Sequence, residues 1–412
     1  MIPRFITKTI IDSVKHFPIT LLTGPRQIGK STELFNSFNS KGFNYISLDD
    51  SFNLAFARKD PRSFLDLHPS PLIIDEAQKA PELFVEIERI VNESRLKRGN
   101  MESNGMYILS GSQRKDLLDR AEESLSGRVA ILDMNNLSIN EILGKDNSPF
   151  EVNLAKDSQR SLRYTLKESQ AFEYIVKGFF PVLYADPSIN ISVFYSSYIT
   201  TYLGKDLRDL ININDEFKFL NFLKLLASNT GEELVYDNYA KNIGVSINTI
   251  KSWTSVLIKT AIIYLVEPYN EESIVKRVVK RPKMYFFDTG LAAYLCGITD
   301  AKTLQNSFLK GRFFETFVFN EIRKSFMNEG IMQTLYYYRD SEQNEVDMIL
   351  VREGKISCVE IKSGQNFNAS DTKAFKNLIN SKFVHGKNAI VCTADKISML
   401  NDGTLLLPIS SI

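Results

Sequence analysis

The sequence predicts a multidomain α/β protein, on three observations. Short apolar runs alternate with amphipathic segments as far as about residue 145, a helix-rich stretch follows, and helix and strand signals return together after about residue 305. A chain of 412 residues has room for about two or three cores of ordinary size. Its 43% hydrophobic and 24% charged residues are ordinary globular composition.

In the first region, expected to be one domain over 1–145, the apolar runs are ITLLTG (19–24), FNYISLD (43–49), PLIIDEA (71–77), MYILSGS (106–112) and RVAILDM (128–134). Such runs have no consistent polar face, so they need cover on both sides, as in a parallel sheet crossed by helices. The polar stretch GKDNSPFEVNLAKDSQRS (144–161) predicts a linker or a domain edge. Residues 165–300 predict a helical domain, with helical apolar spacing in FKFLNFLKLLASNTG (217–231), and 305–412 predict a second α/β domain.

Fifty Lys and Arg against 49 Asp and Glu leave a formal charge of +1, so any contact with nucleic acid must come from a local basic patch. The cysteines, Cys296, Cys358 and Cys392, are too few and too scattered for a disulfide framework or a zinc site, which fits a reducing cytoplasm. The opening MIPRFITKTIIDSVKHF lacks the apolar core of a leader, and no run reaches membrane-spanning length, so a cytoplasmic protein without a membrane anchor is expected. His16, His68 and His385 stand in unrelated contexts, which argues against histidine catalysis.

GPRQIGKS (24–31) satisfies G-x-x-x-x-G-K-[ST] in full, directly after a strand and before a helix. Gly24, Pro25, Arg26, Gln27, Ile28, Gly29, Lys30, Ser31 and Thr32 are therefore the expected nucleotide-binding residues. The glycines let backbone N–H groups close around phosphates, Lys30 reaches the β- and γ-phosphates, and Ser31 ligates Mg²⁺ at a helix N-terminus. In LIIDEA (72–77), Asp75 and Glu76 follow three apolar residues. Asp75 is expected to hold Mg²⁺ and Glu76 to orient or deprotonate the attacking water.

A third strand ends ILSGSQ (108–113), offering Ser110, Ser112 or Gln113 to the γ-phosphate, with a plain turn as the equal alternative. Arg128, in SLSGRVA (124–130), is a candidate cation for the transferring phosphoryl group in cis or across an oligomer, or else a surface arginine. The expected cofactors are ATP and Mg²⁺.

GPRQIGKST, LIIDEAQKAPELF, ILSGSQ and SLSGRVA together resemble the AAA-like ATPases of bacteria and archaea that carry a conserved C-terminal region of uncharacterised function. GFFPVLY (178–184), YLGKDLRDL (202–210) and MYFFDTGLAAYL (284–295) resemble that C-terminal region. The resemblance covers nearly the whole chain. It implies a protein that binds and hydrolyses ATP, and it leaves the biological task open.

VYDNYAKNIGVSINTIKSWTSVLIKTAIIYLV (235–266) has the pattern of a helix, a turn at Gly244, and a second helix capped by Ser246 or Asn248. With IIYLVEPY (262–269) and RPKMYFFD (281–288) as two strands, it predicts a winged helix. Lys276, Arg277, Lys280, Arg281 and Lys283 could meet a phosphate backbone, whereas the second helix offers only Asn248, Thr249, Lys251 and Ser252. DNA contact and a purely packing role both stay open.

FFETFVFNEI (313–322) predicts an amphipathic helix carrying Glu315. EVDMILV (345–351) and CVEIKSG (358–364) predict adjacent strands, with Asp347 on one and Glu360 and Lys362 on one side of the other. This order resembles the PD-(D/E)XK restriction-endonuclease-like core. The resemblance implies that Asp347 and Glu360 bind a divalent metal, that Lys362 orients or activates a water, and that Glu315 supports the site. A stabilising ion-pair group at a sheet edge is the alternative.

Three functions are compatible with these modules: a nucleotide-driven switch acting on DNA or an unknown protein partner, a Mg²⁺-dependent DNase gated by ATP, and a DNA-binding regulator or scaffold whose nuclease fold is inactive.

Overall fold

The computed structural model describes residues 2–112, 117–118, 121, 123–161, 164–203, 216–270, 281–368, 370–378 and 384–412. Five strands, β1 (Ile19–Thr23), β2 (Asn44–Ser47), β3 (Leu72–Asp75), β4 (Tyr107–Gly111) and β5 (Val129–Asp133), form a sheet in the order β2-β3-β4-β1-β5. Every pairing in it is parallel. The three inner strands are buried along their whole length, and successive residues feed two separate cores. Leu22, Ile73 and Ile108 meet Ile6, Ile10, Leu34 and Phe38, whereas Leu21, Ile74 and Leu109 meet Leu83, Ile87 and Val91. That two-sided burial is why these strands carry no polar face. Parallel direction also brings the carboxyl ends of β1, β3 and β4, at Thr23, Asp75 and Gly111, to one edge of the sheet, where ligands of open α/β sheets bind.

The middle of the chain is mainly helical, with Glu168–Lys177, Ile191–Tyr198, Glu216–Ser228, Tyr236–Ile243 and Ile247–Lys259 as its longer helices. The last two are joined at Gly244, whose φ of 71° is left-handed and suits a helix stop. Ser246 caps the second by accepting from the Thr249 amide at 3.0 Å. Three short antiparallel strands, β6 (Glu232–Glu233), β7 (Ile263–Val266) and β8 (Lys283–Phe286), lie in the order β6-β8-β7. Lys276, Arg277 and Lys280, between β7 and β8, lie outside the described residues, as do most of the 202–210 segment and Gln113. The GFFP and DTG segments touch backbone to backbone: a Cβ on Gly290 would come within 2.6 Å of Gly178 Cα, so neither position has room for a side chain.

The C-terminal part opens with the helix Lys310–Met327, followed by β9 (Leu335–Arg339), β10 (Glu345–Arg352) and β11 (Lys355–Lys362) as an antiparallel meander. The sheet continues through β12 (Val384–His385), β13 (Ala389–Cys392), β14 (Ser398–Met399) and β15 (Leu405–Pro408); β13 runs parallel to β11, and β15 parallel to β13. The Lys310–Met327 helix is buried along most of its length, polar residues such as Asn320, Glu321 and Lys324 included, because it lies between this sheet and the middle module. Phe314 stacks on Phe172 at 6.2 Å, Phe317 on Phe179 at 5.7 Å and Phe319 on Tyr285 at 4.5 Å. One hydrophobic core therefore runs from Ile6 to Ile412 across all three regions.

The expected linker over 144–161 contains a helix, Leu154–Ser161. Its polar residues are used internally: Arg160 pairs with Asp157 at 3.3 Å and donates to the Pro149 carbonyl at 2.6 Å, and Asp157 accepts from the Asn153 amide at 3.0 Å. Burial lifts the Asp157 carboxyl to about 6. Among the described residues no helix is long and apolar enough to cross a membrane.

Candidate functional site

β1 delivers the chain into the loop 24–29, and Lys30 begins the next helix. Gly24 has φ 146°, and a Cβ there would sit 2.3 Å from the Met134 carbonyl oxygen, so the first glycine of the motif admits no other residue. Gly29 is left-handed at φ 88°, and no side chain caps the helix that follows. The first-turn N–H groups are thus left for an anion, as a phosphate site requires. Ile28 is fully buried and anchors the loop from below.

The sequence gives no hint of the brace behind it. Arg4, 8% exposed, donates to the Ile28 carbonyl at 2.9 Å, to the Asn135 carbonyl at 2.6 Å and to Glu141 Oε1 at 3.1 Å. It ties the loop to the segment leaving β5.

Lys30 is 6% exposed, with Nζ donating to the carbonyls of Gly24 at 2.9 Å and Pro25 at 2.7 Å. Burial pushes its ammonium down to about 8, against the opposing pull of Glu76 and Asp75. Bound phosphates would hold the proton on, so above about pH 8 ATP binding has to take up a proton. ATP affinity is expected to fall by up to about tenfold per pH unit above that point. Calorimetry in buffers of different ionisation enthalpy checks this through the proton count.

Asp75 is the hub of the site. Its Oδ2 accepts from Ser31 Oγ at 2.5 Å and the Tyr45 hydroxyl at 2.7 Å, and its Oδ1 accepts from Ser110 Oγ at 2.5 Å and the Glu76 amide at 3.1 Å. Burial and the Asp75 carboxylate hold the Tyr45 phenol well above its ordinary range, so it remains a donor. A serine hydroxyl against a carboxylate at the head of a phosphate loop is an oxygen donor set that fits Mg²⁺, with Ser31 and Asp75 as the residues to hold it.

Glu76 is left-handed at φ 55°, a strained setting for a residue with a Cβ. The Gln78 amide and Ser112 Oγ, the latter at 3.2 Å, both donate to its Oε2. Ser110 and Ser112 therefore serve the two acids. Tyr45 and Gln78 are partners that no motif marks.

Arg128 is not brought to this edge. It precedes β5 at the end where Ile19 pairs with Val129, whereas the loop follows Thr23, opposite Asp133. Four residues of strand, roughly 13 Å, separate the two ends, and Arg128 is spent on Glu88 at 3.2 Å and Asn92 at 2.7 Å. A role in its own subunit's phosphoryl transfer does not fit this placement.

The C-terminal candidates do come together. The register that pairs Met348 with Val359 sets Asp347 opposite Glu360, and Asp347, 5% exposed, lies where the pairing of β10 with β9 shifts register between Val346 and Ile349. Asp347 Oδ2 accepts from the Ile361 amide at 2.8 Å. Glu360 Oε1 pairs with Lys362 at 2.7 Å, while its Oε2 is buried with no hydrogen-bond partner among the described residues. Burial, and then the Asp347 charge, lift the Glu360 carboxyl to about 8; burial lifts Glu315 to about 7.

Lys283 departs from expectation. It does not face a phosphate backbone but lies buried, with Nζ 2.9 Å from Glu315, 2.5 Å from Glu345 and 3.7 Å from Asp347. Tyr285 donates to Glu315 at 2.6 Å. The divalent site expected from Asp347 and Glu360 does not fit the residues as placed. Among the described residues no three ligating side chains are grouped to hold a metal, and an ammonium stands against the carboxylates instead.

A parallel sheet with a glycine-bounded loop between its first strand and the following helix is the arrangement of a P-loop nucleotide-binding domain, and residues 16–143 match the AAA domain family. Residues 168–302 match a domain of unknown function (DUF8612) and residues 310–412 another (DUF4143). The chain is 26% identical to the uncharacterized proteins Mb2031c of Mycobacterium bovis and Rv2008c of Mycobacterium tuberculosis, over 84% of this chain and 70% of each relative. It is also similar to the solved Walker-type ATPase paby2304 of Pyrococcus abyssi, at 15% identity over 70% of this chain and 94% of that one, with a TM-score of 0.43.

Proposed function

We propose that this chain binds and hydrolyses ATP and uses its nucleotide state as a switch on DNA or a protein partner. The observation that carries the reading is Asp75 joining Ser31, Tyr45 and Ser110 beside Lys30 and Glu76 at one sheet edge. Mg²⁺, when bound with the nucleotide, supplies charge neutralisation between the phosphates. Lys30 holds phosphate oxygens, the uncapped helix turn adds N–H donors, and Glu76 Oε takes or orients the proton of the attacking water.

A path for the switch exists in contacts. Arg4 links Ile28 of the loop to Asn135, and neighbouring Asn136 donates to Asp288 at 2.9 Å. Asp288 also accepts from the Phe179 amide at 2.7 Å and from Tyr195 at 2.8 Å, two residues beyond the end of β8. Movement of the phosphate loop thus has a buried polar route into the middle module.

There, the two helices around Gly244 followed by β7 and β8 support a winged helix, and Asn248, Lys251 and Ser252 are exposed on its second helix. In the C-terminal part, a helix, three antiparallel strands and a strand parallel to the third support a nuclease-like fold. Lys283 among its acids favours the scaffold reading over ATP-gated cleavage.

The test is Mg²⁺-dependent ATPase turnover of the full chain, with and without single- and double-stranded DNA. Turnover is expected, and stimulation by DNA would name the partner. Absence of nucleotide binding would sink the reading.

A further inference from the structure

Glu315, Glu345, Asp347 and Glu360 come from the Lys310–Met327 helix and from β10 and β11; Lys362 and Arg339 of the same sheet pair with Glu360 and Glu345, but a third cation, Lys283, comes from outside that sheet, on β8 of the middle module. The Lys283 side chain is only 3% exposed and reaches three of the four acids. Burying an ammonium is costly unless carboxylates match it, and here they do.

A divalent ion needs the same kind of oxygens at shorter range. Two cations competing for Asp347 would repel each other across a medium that screens poorly. The remaining acid is matched on one oxygen: Lys362 pairs with Oε1 of Glu360, and Oε2, on a residue 6% exposed, has no hydrogen-bond partner among the described residues. We propose that Lys283 is the resident cation of this carboxylate site and the residue that sets its metal occupancy, so that a divalent ion enters only where the ammonium has left. The inference rests on the reading of Asp347 and Glu360 as a cation-binding pair.

Calorimetric titration of the nucleotide-free full chain with Mn²⁺ tests it, in the wild type, in Lys283→Met, and in Lys283→Met carrying Asp347→Asn and Glu360→Gln. Any weak binding at the phosphate loop is common to all three and is read from the last. Lys283→Met is expected to bind Mn²⁺ at least roughly tenfold more tightly than the wild type, since removing a cation a few ångströms away is a large electrostatic change. The triple variant is expected to lose that gain. Wild type binding as tightly as Lys283→Met overturns the inference and leaves the carboxylate pair standing as a metal site. No carboxylate-dependent binding in either overturns both. Because facing acids without their ammonium can unfold the chain, Lys283→Gln with Glu345→Gln, which removes one charge of each sign, is titrated alongside. It too must bind Mn²⁺ more tightly than the wild type for the inference to hold.

Discussion

Glu76→Gln is expected to bind ATP as the wild type does and to hydrolyse it at least roughly tenfold more slowly, because a positioned general base contributes about 10²- to 10⁴-fold. The substitution keeps the size of the side chain and removes its ability to take a proton. Binding survives because the phosphate contacts belong to the loop, Lys30 and the helix turn, none of which Glu76 touches by a described hydrogen bond. The geometry around Glu76 supports this division. Its left-handed backbone is a cost the chain carries beside the phosphate loop, as it does at Gln27 within the loop, and two donors, Gln78 and Ser112, converge on one carboxylate oxygen and aim the acid. Ala at Gln78 or Ser112 should slow turnover by less than Glu76→Gln, since each only aims the acid. Fluorescent-nucleotide binding and phosphate release on the same preparations separate the two effects. Unchanged turnover in Glu76→Gln removes its assigned role.

The parts of this protein that were legible beforehand are those whose physics is local. β1, β3 and β4 read as strands because burial on both faces forces continuous apolar runs, and each ends within two residues of where its run ends. The loop read as a phosphate site because Gly24, Gly29, Lys30 and Ser31 are needed at fixed spacing along one turn. Asp347 and Glu360 read as neighbours because a tight β-meander leaves one register. The partners that make these residues work were not legible, because they arrive from distant chain. Arg4 reaches the loop across 24 residues and Glu141 across 137. Tyr45 reaches Asp75 from an edge strand, and Lys283 reaches Glu315 from a different sheet. In a run such as KRVVKRP a lysine looks solvated by its neighbours. What hinted otherwise was the apolar MYFF that follows Lys283, which starts a strand with nowhere for an unpaired charge to go. For Arg128 the SLSGR setting left a functional loop and a surface arginine equally open, and only the pairing of β5 with β1 puts it before its strand, at the far edge of a parallel sheet.

Lys30→Met is expected to weaken ATP binding by at least roughly a hundredfold and, in the absence of nucleotide, to make the folded protein more stable. The first effect follows from losing charge-assisted hydrogen bonds to the phosphates, each worth about 1.5–3 kcal/mol. The second follows from the strain of keeping an ammonium in a dry loop. Its drop from an ordinary 10.5 to about 8 corresponds to about 3 kcal/mol of destabilisation while the lysine is charged. With a folded value below the unfolded one, the folded state binds fewer protons between about pH 8 and 10.5, so wild-type stability rises with pH through that window. The advantage of methionine is therefore full below about pH 8, shrinks across the window and is gone above it. Leaving the Gly24 and Pro25 carbonyls without their lysine partner offsets part of the gain, so an increase of about 1–3 kcal/mol is expected at neutral pH. Denaturant unfolding of the nucleotide-free proteins at pH 7 and pH 10 reads it directly. A Lys30→Met protein that is less stable than the wild type at pH 7 would mean that the lysine is a structural prop of the loop, and its low proton affinity would then have no bearing on nucleotide binding. A more stable protein that no longer holds ATP would place the strain of this loop where function requires it, in an ammonium kept out of water until a phosphate arrives.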